Sequence, residues 1–479
     1  MLSSSELDDG GDLRLLEEYS ISSAAGVKIL EFVPEKEILY YLVEPGLSKE
    51  ELSLISKIKK DLETVLPEIM VAHMGDYSDL EKEILGFSWK RYDSGNAQLR
   101  EKFDYYIRRE YFGYGIIDAI MQDPNIEDIS CDGPGIPIFV YHARYDVLKT
   151  NVIFRTAEVL SSFLVRLAQK CSKSISVRNP ILDGTTREGH RVQGTYEREV
   201  TTLGSSFTMR LFRKKVFTPS NILVSDMADA NILAYLWLAV EHLESGMIAG
   251  PPGAGKTSFL NAMMQFAPEN TKILSIEETR ELNIDHPNWI STATREISPE
   301  MASLGTQSLS MFDLVKAAMR QRPTYIVVGE VRGEETYSLF QAMSTGHTTF
   351  STIHADSLES LVNRLESEPM NIPRIMISSL RIVIFLTYYR NGNQIRRRVS
   401  EIDEIHGIDG TTNDLLYNSV FRFNPLNNTW YMSEESLLLK RLETIMNETE
   451  RGVRKIFNER RERVLELYGK GEKGITGEQ

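Results

Sequence analysis

The chain has little of several things that would have fixed its class at once. Only two cysteines, Cys131 and Cys171, stand among 479 residues. That excludes a disulfide-stapled secreted scaffold, and two thiols cannot alone supply the four ligands of a structural zinc site. Two reduced thiols packed as small apolar groups are the expectation. Long apolar runs are missing too: the longest, NILAYLWLAVEHL from Asn231 to Leu243, falls short of the ~20 residues that cross a bilayer. The opening MLSSSELDDGGD is polar and acidic, where a secretory signal carries a basic and then an apolar stretch. The expected location is the cytoplasm, with any membrane contact made from the side. Positive charge is in deficit, 54 basic residues against 68 acidic for a net −14. This is the wrong sign for a protein whose main partner is a phosphate backbone, and no direct nucleic-acid contact is expected.

What is there suits a folded chain of more than one domain. Hydrophobic residues make up 42% and charged residues 25%, which places the chain among globular proteins, and its length exceeds what one core usually serves. Residues up to about Gly11 read as a disordered start. Between Val27 and Val43 come two β-rich runs, GVKILEF and ILYYLVE. LSKEELSLISKIKKDLETVL then predicts a helix, with Ser48 as N-cap and Glu51 closing a capping box. From about Lys102 to Thr218 strand-like runs (EDISCDG, PIFVYH, NVIFR) and a helix (AEVLSSFLVRLAQKC) lead into a turn-rich, strand-rich stretch, and Pro219 reads as the start of a linker. Beyond Ser225, TKILSIEE, TYIVVGE, TTFSTIH and RIVIFLTYYR alternate with helical segments. The first two are continuous apolar runs, which predict buried parallel strands, and the other two supply further strands. A hairpin turn is expected at Asn391-Gly392, and a charged helical tail after Ser433 that frays at GKGEKGITGEQ.

The stretch from Gly250 to Thr257, GPPGAGKT, fits G-x-x-x-x-G-K-[ST] after an apolar strand and before a helix. Gly250, Gly253 and Gly255 let the backbone curl with its N–H groups inward. The expected nucleotide-binding set is Gly250, Pro251, Pro252, Gly253, Ala254, Gly255, Lys256, Thr257 and Ser258. Lys256 would bring positive charge to the β- and γ-phosphates, the Thr257 hydroxyl would reach Mg²⁺, and the helix would present its positive end. YIVVGE ends a buried strand on Glu330, long enough to reach an attacking water and placed to help hold Mg²⁺. ILSIEE places Glu277 and Glu278 at another strand end, where paired acids can organise Mg²⁺ and water. STGHTTFSTIHADS places His347 and His354 seven apart around a strand. Without cysteine partners they make a poor metal site, and a γ-phosphate or interface sensor fits them better. No metal other than Mg²⁺ is expected.

In this order, GPPGAGKT, IEETREL, VVGE and STGHTTFSTIHADS resemble the secretion ATPase superfamily, the motors of type II secretion, type IV pili and the archaellum. The likeness continues upstream through DPNIEDISCDGPGIPIFVYH and DGTTREGHRVQGT, resembling the archaeal branch, and covers roughly Tyr105 to Ile405. Two departures are visible. Glu278 stands where the family usually has Asp, and the two cysteines rule out the zinc site of many bacterial members. The resemblance implies an α/β fold: a RecA-like P-loop ATPase core with a parallel sheet, preceded by a smaller α+β (PAS-like) N-terminal domain. It implies residues 1–100 as a variable α+β docking module, 101–222 as the N-terminal domain of the core, and 223–479 as the RecA-like domain with its charged tail. It further implies a homo-hexamer that uses ATP and Mg²⁺, peripheral at the inner face of the cytoplasmic membrane. A polytopic membrane platform protein would be its partner, and accessory cytosolic motor proteins could join it. Arg191 and Arg210 occupy the positions of the family's phosphate-directed arginines. Arg320 and Arg322, before the Glu330 strand, are sensor or interface candidates. With Glu330, Lys256 and Glu277, the first two arginines form the expected catalytic set. The function implied is a motor for filament assembly, rotation or secretion. The alternative is the ATPase of a conjugative DNA-transfer or other nucleic-acid-translocating machine.

Overall fold

The computed structural model describes residues 13–72, 77–92, 96–212, 216–295, 308–391 and 394–468. The expected disordered start, the turn residue Gly392 and the frayed GKGEKGITGEQ end lie outside the described residues. The chain forms two compact units, Met1–Leu211 and Phe212–Gln479.

In the first unit, nine strands make one sheet. They are β1 (Leu13–Ser20), β2 (Gly26–Phe32), β3 (Glu37–Val43), β4 (Ile126–Cys131), β5 (Pro137–His142), β6 (Asp146–Ile153), β7 (Ile181–Thr185), β8 (Arg191–Thr195) and β9 (Ser206–Arg210). Their order is β1-β2-β3-β6-β5-β4-β9-β8-β7. The sheet therefore draws strands from both sides of residue 100. Every neighbouring pair is antiparallel except β3 and β6, where Leu39 and Tyr40 meet Lys149 and Thr150 in parallel register. A buried carboxylate before β4 holds two of the N-terminal strands: Asp123 Oδ2 accepts from the hydroxyls of Tyr19 on β1 (2.7 Å) and Tyr40 on β3 (2.9 Å). Three helices, α1 (Lys49–Ala72), α2 (Tyr77–Tyr92) and α3 (Ala97–Tyr111), share a separate small core around Ile58, Ile84, Phe103 and Ile107. The first begins with the expected capping box: Ser48 N–H donates to Glu51 Oε2 (2.7 Å), and Glu51 N–H donates to Ser48 Oγ (3.1 Å). After the short α4 (Asp118–Gln122), α5 (Ala157–Lys170) lays Leu160, Leu164 and Leu167 on the sheet. It comes so close that a Cβ on Gly194 of β8 would sit 2.7 Å from Leu164 Cδ1. Both cysteines are free and buried.

The second unit carries another nine-stranded sheet. Its strands are β10 (Gly246–Ala249), β11 (Ile273–Glu277), β12 (Trp289–Ala293), β13 (Tyr325–Val328), β14 (Thr348–Ile353), β15 (Ile382–Asn391), β16 (Gln394–Ile408), β17 (Leu415–Asn424) and β18 (Thr429–Met432). Six run parallel in the order β12-β11-β13-β14-β10-β15, and β16 to β18 extend the β15 side antiparallel. Every residue of β10, β11, β13 and β14 is buried, as strands covered on both faces must be. Successive residues go to opposite faces. Ile248, Val327 and Ile384 pack with α7 (Ala230–Glu241), α8 (Lys256–Met264) and the later α13 (Leu437–Met446) and α14 (Glu450–Tyr468). Met247, Ile326 and Val383 pack with α9 (Met311–Met319), α10 (Glu335–Ser344), α11 (Leu358–Glu366) and α12 (Arg374–Ile377). The linker expected at Pro219 is instead α6 (Pro219–Val224). Proline suits the first helical position, where no N–H partner is needed, and Thr218 with Asn221 forms the capping box ahead of it.

Candidate active site

The strand β10 ends at Ala249 and α8 begins at Lys256, so Gly250 to Gly255 must reverse the chain between them. Two glycines take left-handed conformations, Gly253 at φ +75° and Gly255 at φ +85°. At Gly250 a Cβ would sit 2.6 Å from the Leu386 carbonyl oxygen of β15. Pro251 and Pro252 have no N–H and can only shape the loop. Thr257 is half-buried and Ser258 exposed in the first turn of α8. The loop thus opens at the carboxyl edge of a parallel sheet, where α/β proteins place their ligands, with a helix N-terminus behind it.

Lys256 is buried, 8% exposed. Its Nζ donates to the carbonyls of Gly250 and Pro251, each at 3.0 Å, and meets His354 Nδ1 at 3.1 Å. Burial pulls this ammonium down to about 8, with Glu330 opposing. On the far side of the ring, His354 Nε2 lies 2.7 Å from Glu330 Oε1. Burial, and then the Lys256 charge, hold the imidazole below its ordinary range despite Glu330. A neutral ring can accept at Nδ1 from the ammonium, while on its other side Nε2 touches the carboxylate without hydrogen-bond alignment, leaving Glu330 Oε1 buried and unpartnered. Glu330 Oε2 is held in turn by Arg332 Nη2 at 2.5 Å, and Arg332 Nη1 stands 3.9 Å from Glu278 Oε2. Lysine, histidine, glutamate and arginine thus form one line across the carboxyl ends of β10, β14 and β13. The topology produces it: β14 lies between the strand that feeds the loop and the strand that ends in Gly329-Glu330. Arg332 escaped the sequence reading, although its place two residues after Glu330 was a signal.

Glu277 behaves differently from its neighbour Glu278. It is 2% exposed, and its Oε1 accepts from the backbone N–H groups of Glu281 and Leu282, both at 2.9 Å. Its Oε2 is buried without a hydrogen-bond partner, and burial pushes the carboxyl up to about 7. Gly329 makes room for it, since a Cβ there would meet Glu277 Cγ at 3.0 Å. Glu278 is solvent-exposed at the edge.

Other expected site residues lie elsewhere. His347 precedes β14 and His354 follows it, so the strand separates the two by roughly 20 Å. Arg320 caps the C-terminus of α9 and Arg322 sits at φ +51°, both exposed before β13 begins. These three residues occupy the amino edge of the sheet, opposite the glycine loop. In the first unit, Arg191 and Arg210 face each other as register partners on β8 and β9. Like charges directly opposite on a ladder repel. Here each has an acid beside it: Arg191 Nη2 is 3.9 Å from Asp183 Oδ2, and Arg210 Nε is 3.1 Å from Asp128 Oδ1.

The donors near the loop suit magnesium. Thr257 offers a hydroxyl, and Glu278 and Glu330 offer carboxylates, the hard oxygen ligands this ion takes. Among the described residues no three His, Cys, Asp or Glu side chains converge as a metal site. Magnesium would therefore share its shell with phosphate oxygens and water, as it does in nucleotide sites.

A glycine loop between a parallel strand and a helix, with a glutamate two strands away, defines a P-loop nucleotide-binding core of the RecA-like kind. Residues 121–396 match the family described as Type II/IV secretion system protein. The uncharacterized protein MJ0900 of Methanocaldococcus jannaschii is 36% identical over 327 residues, 68% of this chain and 58% of its own length. A second protein of that organism, the uncharacterized MJ1287, is 41% identical over 237 residues, 49% of this chain and 86% of its own. The X-ray structure of the Legionella pneumophila ATPase DotB is similar at 17% identity and a TM-score of 0.42, over 71% of this chain and 84% of that one. The chain belongs to the Type II/IV secretion system protein family. Among the described residues no helix is long and apolar enough to cross a membrane.

Proposed function

We propose that the chain is the ATP-hydrolysing motor of a membrane-attached machine that assembles or turns a type IV pilus-like filament, or drives type II-type secretion. It works as a homo-hexamer at the inner face of the cytoplasmic membrane, against a polytopic platform protein and with accessory cytosolic proteins where the machine has them. The observation that carries this reading is the neutral His354 bridging Lys256 and Glu330. It connects the group that senses phosphate with the group that handles water.

Lys256 exchanges the Gly250 and Pro251 carbonyls for phosphate oxygens when a triphosphate occupies the loop. That movement withdraws the ammonium from His354 Nδ1 and frees the ring to turn against the unpartnered Glu330 Oε1. Glu330 then positions water and takes its proton. Magnesium, when bound with the nucleotide, supplies Lewis-acid neutralisation of phosphate charge, and Thr257, Glu278 and Glu330 would hold it. Arg332 keeps the second Glu330 oxygen in place. Arg191 and Arg210, paired on one ladder, supply guanidinium charge to the phosphates from a first unit in the ring. Glu277 holds the 278–282 turn rather than exchanging protons. The test is steady-state turnover with Mg²⁺-ATP, wild type against Glu330→Gln. The variant is expected to bind nucleotide normally and lose at least about 10²-fold in kcat. Undetectable hydrolysis by assembled wild-type protein sinks the reading.

The family description also covers type IV secretion, which favours as a second reading the ATPase of a transfer channel, including one that moves DNA. The net charge of −14 argues that such a protein would not grip DNA itself. Stimulation of turnover by DNA would favour this alternative.

A further inference from the structure

The hairpin β15–β16 lies against the outer side of the glycine loop. Ala249 of β10 is in register with Phe385, so β15 runs beside the loop's feeding strand, and the hairpin continues past the point where β10 ends. On its returning arm Arg397 is the register partner of Tyr388. Arg397 Nε donates to the Gly253 carbonyl at 2.7 Å. Its Cδ lies 3.4 Å from where a Gly255 Cβ would be, and Met227 Cε lies equally near. The Gly250 and Pro251 carbonyls hold Lys256, whereas the left-handed glycines leave other loop carbonyls facing outward, and an outward carbonyl without a partner is free to flip back. Arg397 occupies one of them with a charge-assisted donor.

The strand that delivers Arg397 is held on both sides. The neighbouring Arg398 is sandwiched between Tyr389 and Phe423, 4.0 Å from each ring centre, and donates to Asn428 Oδ1 at 3.0 Å. Val399 N–H donates to Met227 O at 2.8 Å, and Val399 O accepts from Trp430 Nε1 at 2.7 Å. The bond to Gly253 therefore starts from a fixed strand rather than from a loose surface side chain.

We infer that Arg397 is a positioning residue for nucleotide binding, acting in the same chain by fixing the Gly253 peptide so that the loop stays open for phosphate. This rests on the nucleotide site proposed above and adds a specific residue to it. The experiment measures ADP affinity with a fluorescent ADP analogue, ATP turnover and thermal melting for full-length wild type, Arg397→Ala, Arg397→Lys and Lys256→Ala. Arg397→Ala is expected to raise Kd and KM about 10-fold while kcat stays within about 3-fold and the melting temperature does not move. Arg397→Lys keeps a charged donor that can reach the same carbonyl, and is expected to recover part of the affinity lost in Arg397→Ala. Wild-type affinity in Arg397→Ala overturns the inference, as does a melting temperature that falls in step with the affinity, which would make the loss structural. If wild type and Lys256→Ala bind ADP equally poorly, the nucleotide site itself is wrong.

Discussion

Replacing Glu277 by glutamine separates two roles that its position at a strand end would allow. The carboxyl is 2% exposed, with one oxygen on two backbone N–H groups and the other unpartnered. Burial pushes it from about 4.5 to about 7. A folded-state value above the unfolded one means the folded chain binds the extra proton between those limits, so this acid's contribution to stability falls as pH rises from about 4.5 to 7 and is fully lost above that. At about 1.4 kcal/mol per pH unit the loss is of the order of 3 kcal/mol, an upper figure. At about 2–4 °C per kcal/mol for a domain of this size, this group alone should make the wild-type second unit melt about 6–12 °C lower at pH 8 than at pH 5. The glutamine side chain keeps an oxygen for the Glu281 and Leu282 N–H groups and never ionises. Calorimetry from pH 5 to 8 should show Glu277→Gln close to wild type at the acid end and more stable at the alkaline end. Turnover at pH 7 should stay within about 3-fold. A kcat loss beyond about 10²-fold would mean that Glu277 transfers protons, and parallel pH profiles would mean that its burial is not felt; either result refutes its role of holding the 278–282 turn.

Further expectations follow from other groups. Lys256 is drawn down to about 8 by burial, and a phosphate dianion restores its proton. ADP binding at pH 8 should thus take up about half a proton, measured by calorimetry in two buffers of different ionisation enthalpy; zero uptake would contradict the buried ammonium. Glu404, fully buried, accepts from the Tyr235 and Ser436 hydroxyls, both at 2.8 Å, and from the N–H groups of Leu437 (2.6 Å) and Leu438 (3.0 Å) at the start of α13. Glu404→Ala strands all four donors and should destabilise the second unit by about 3–5 kcal/mol in urea unfolding. An unchanged midpoint would mean that α13 is held by other contacts. His354→Ala should lower kcat more than ADP affinity, because it breaks the connection to Glu330 while leaving the loop intact. Equal losses in both would place His354 in binding alone.

The parts of the fold read from sequence were those whose signal is local. The buried strands 273–277 and 325–328 lie in largely apolar runs, and the Ser48–Glu51 box announces its helix. Four strands went unread. Leu13–Ser20 is half-exposed throughout and carries two adjacent glutamates. Trp289–Ala293 is short and polar, Leu415–Asn424 mixes polar residues into its run, and Thr429–Met432 has only four residues. Each is completed by pairing with the strand next to it in the chain, β1 with β2, β12 with β11, β17 with β16 and β18 with β17, rather than by an apolar pattern of its own. The site divides the same way. The loop motif and Glu330 are spaced along the chain by the chemistry itself. His347 and His354 look equivalent in one motif, yet a six-residue strand sends them to opposite edges. Arg397 follows the loop lysine by 141 residues, and only strand order places it on Gly253.

The central claim is a motor whose site is completed by assembly. ATP turnover per chain should be measured across a dilution series with Mg²⁺ and no partner, with light scattering giving the assembled mass in each sample. The account predicts turnover that rises steeply with the assembled fraction and then saturates, and that Arg191→Ala and Arg210→Ala suppress without preventing assembly. Turnover per chain that stays constant while the assembly dissociates would contradict it.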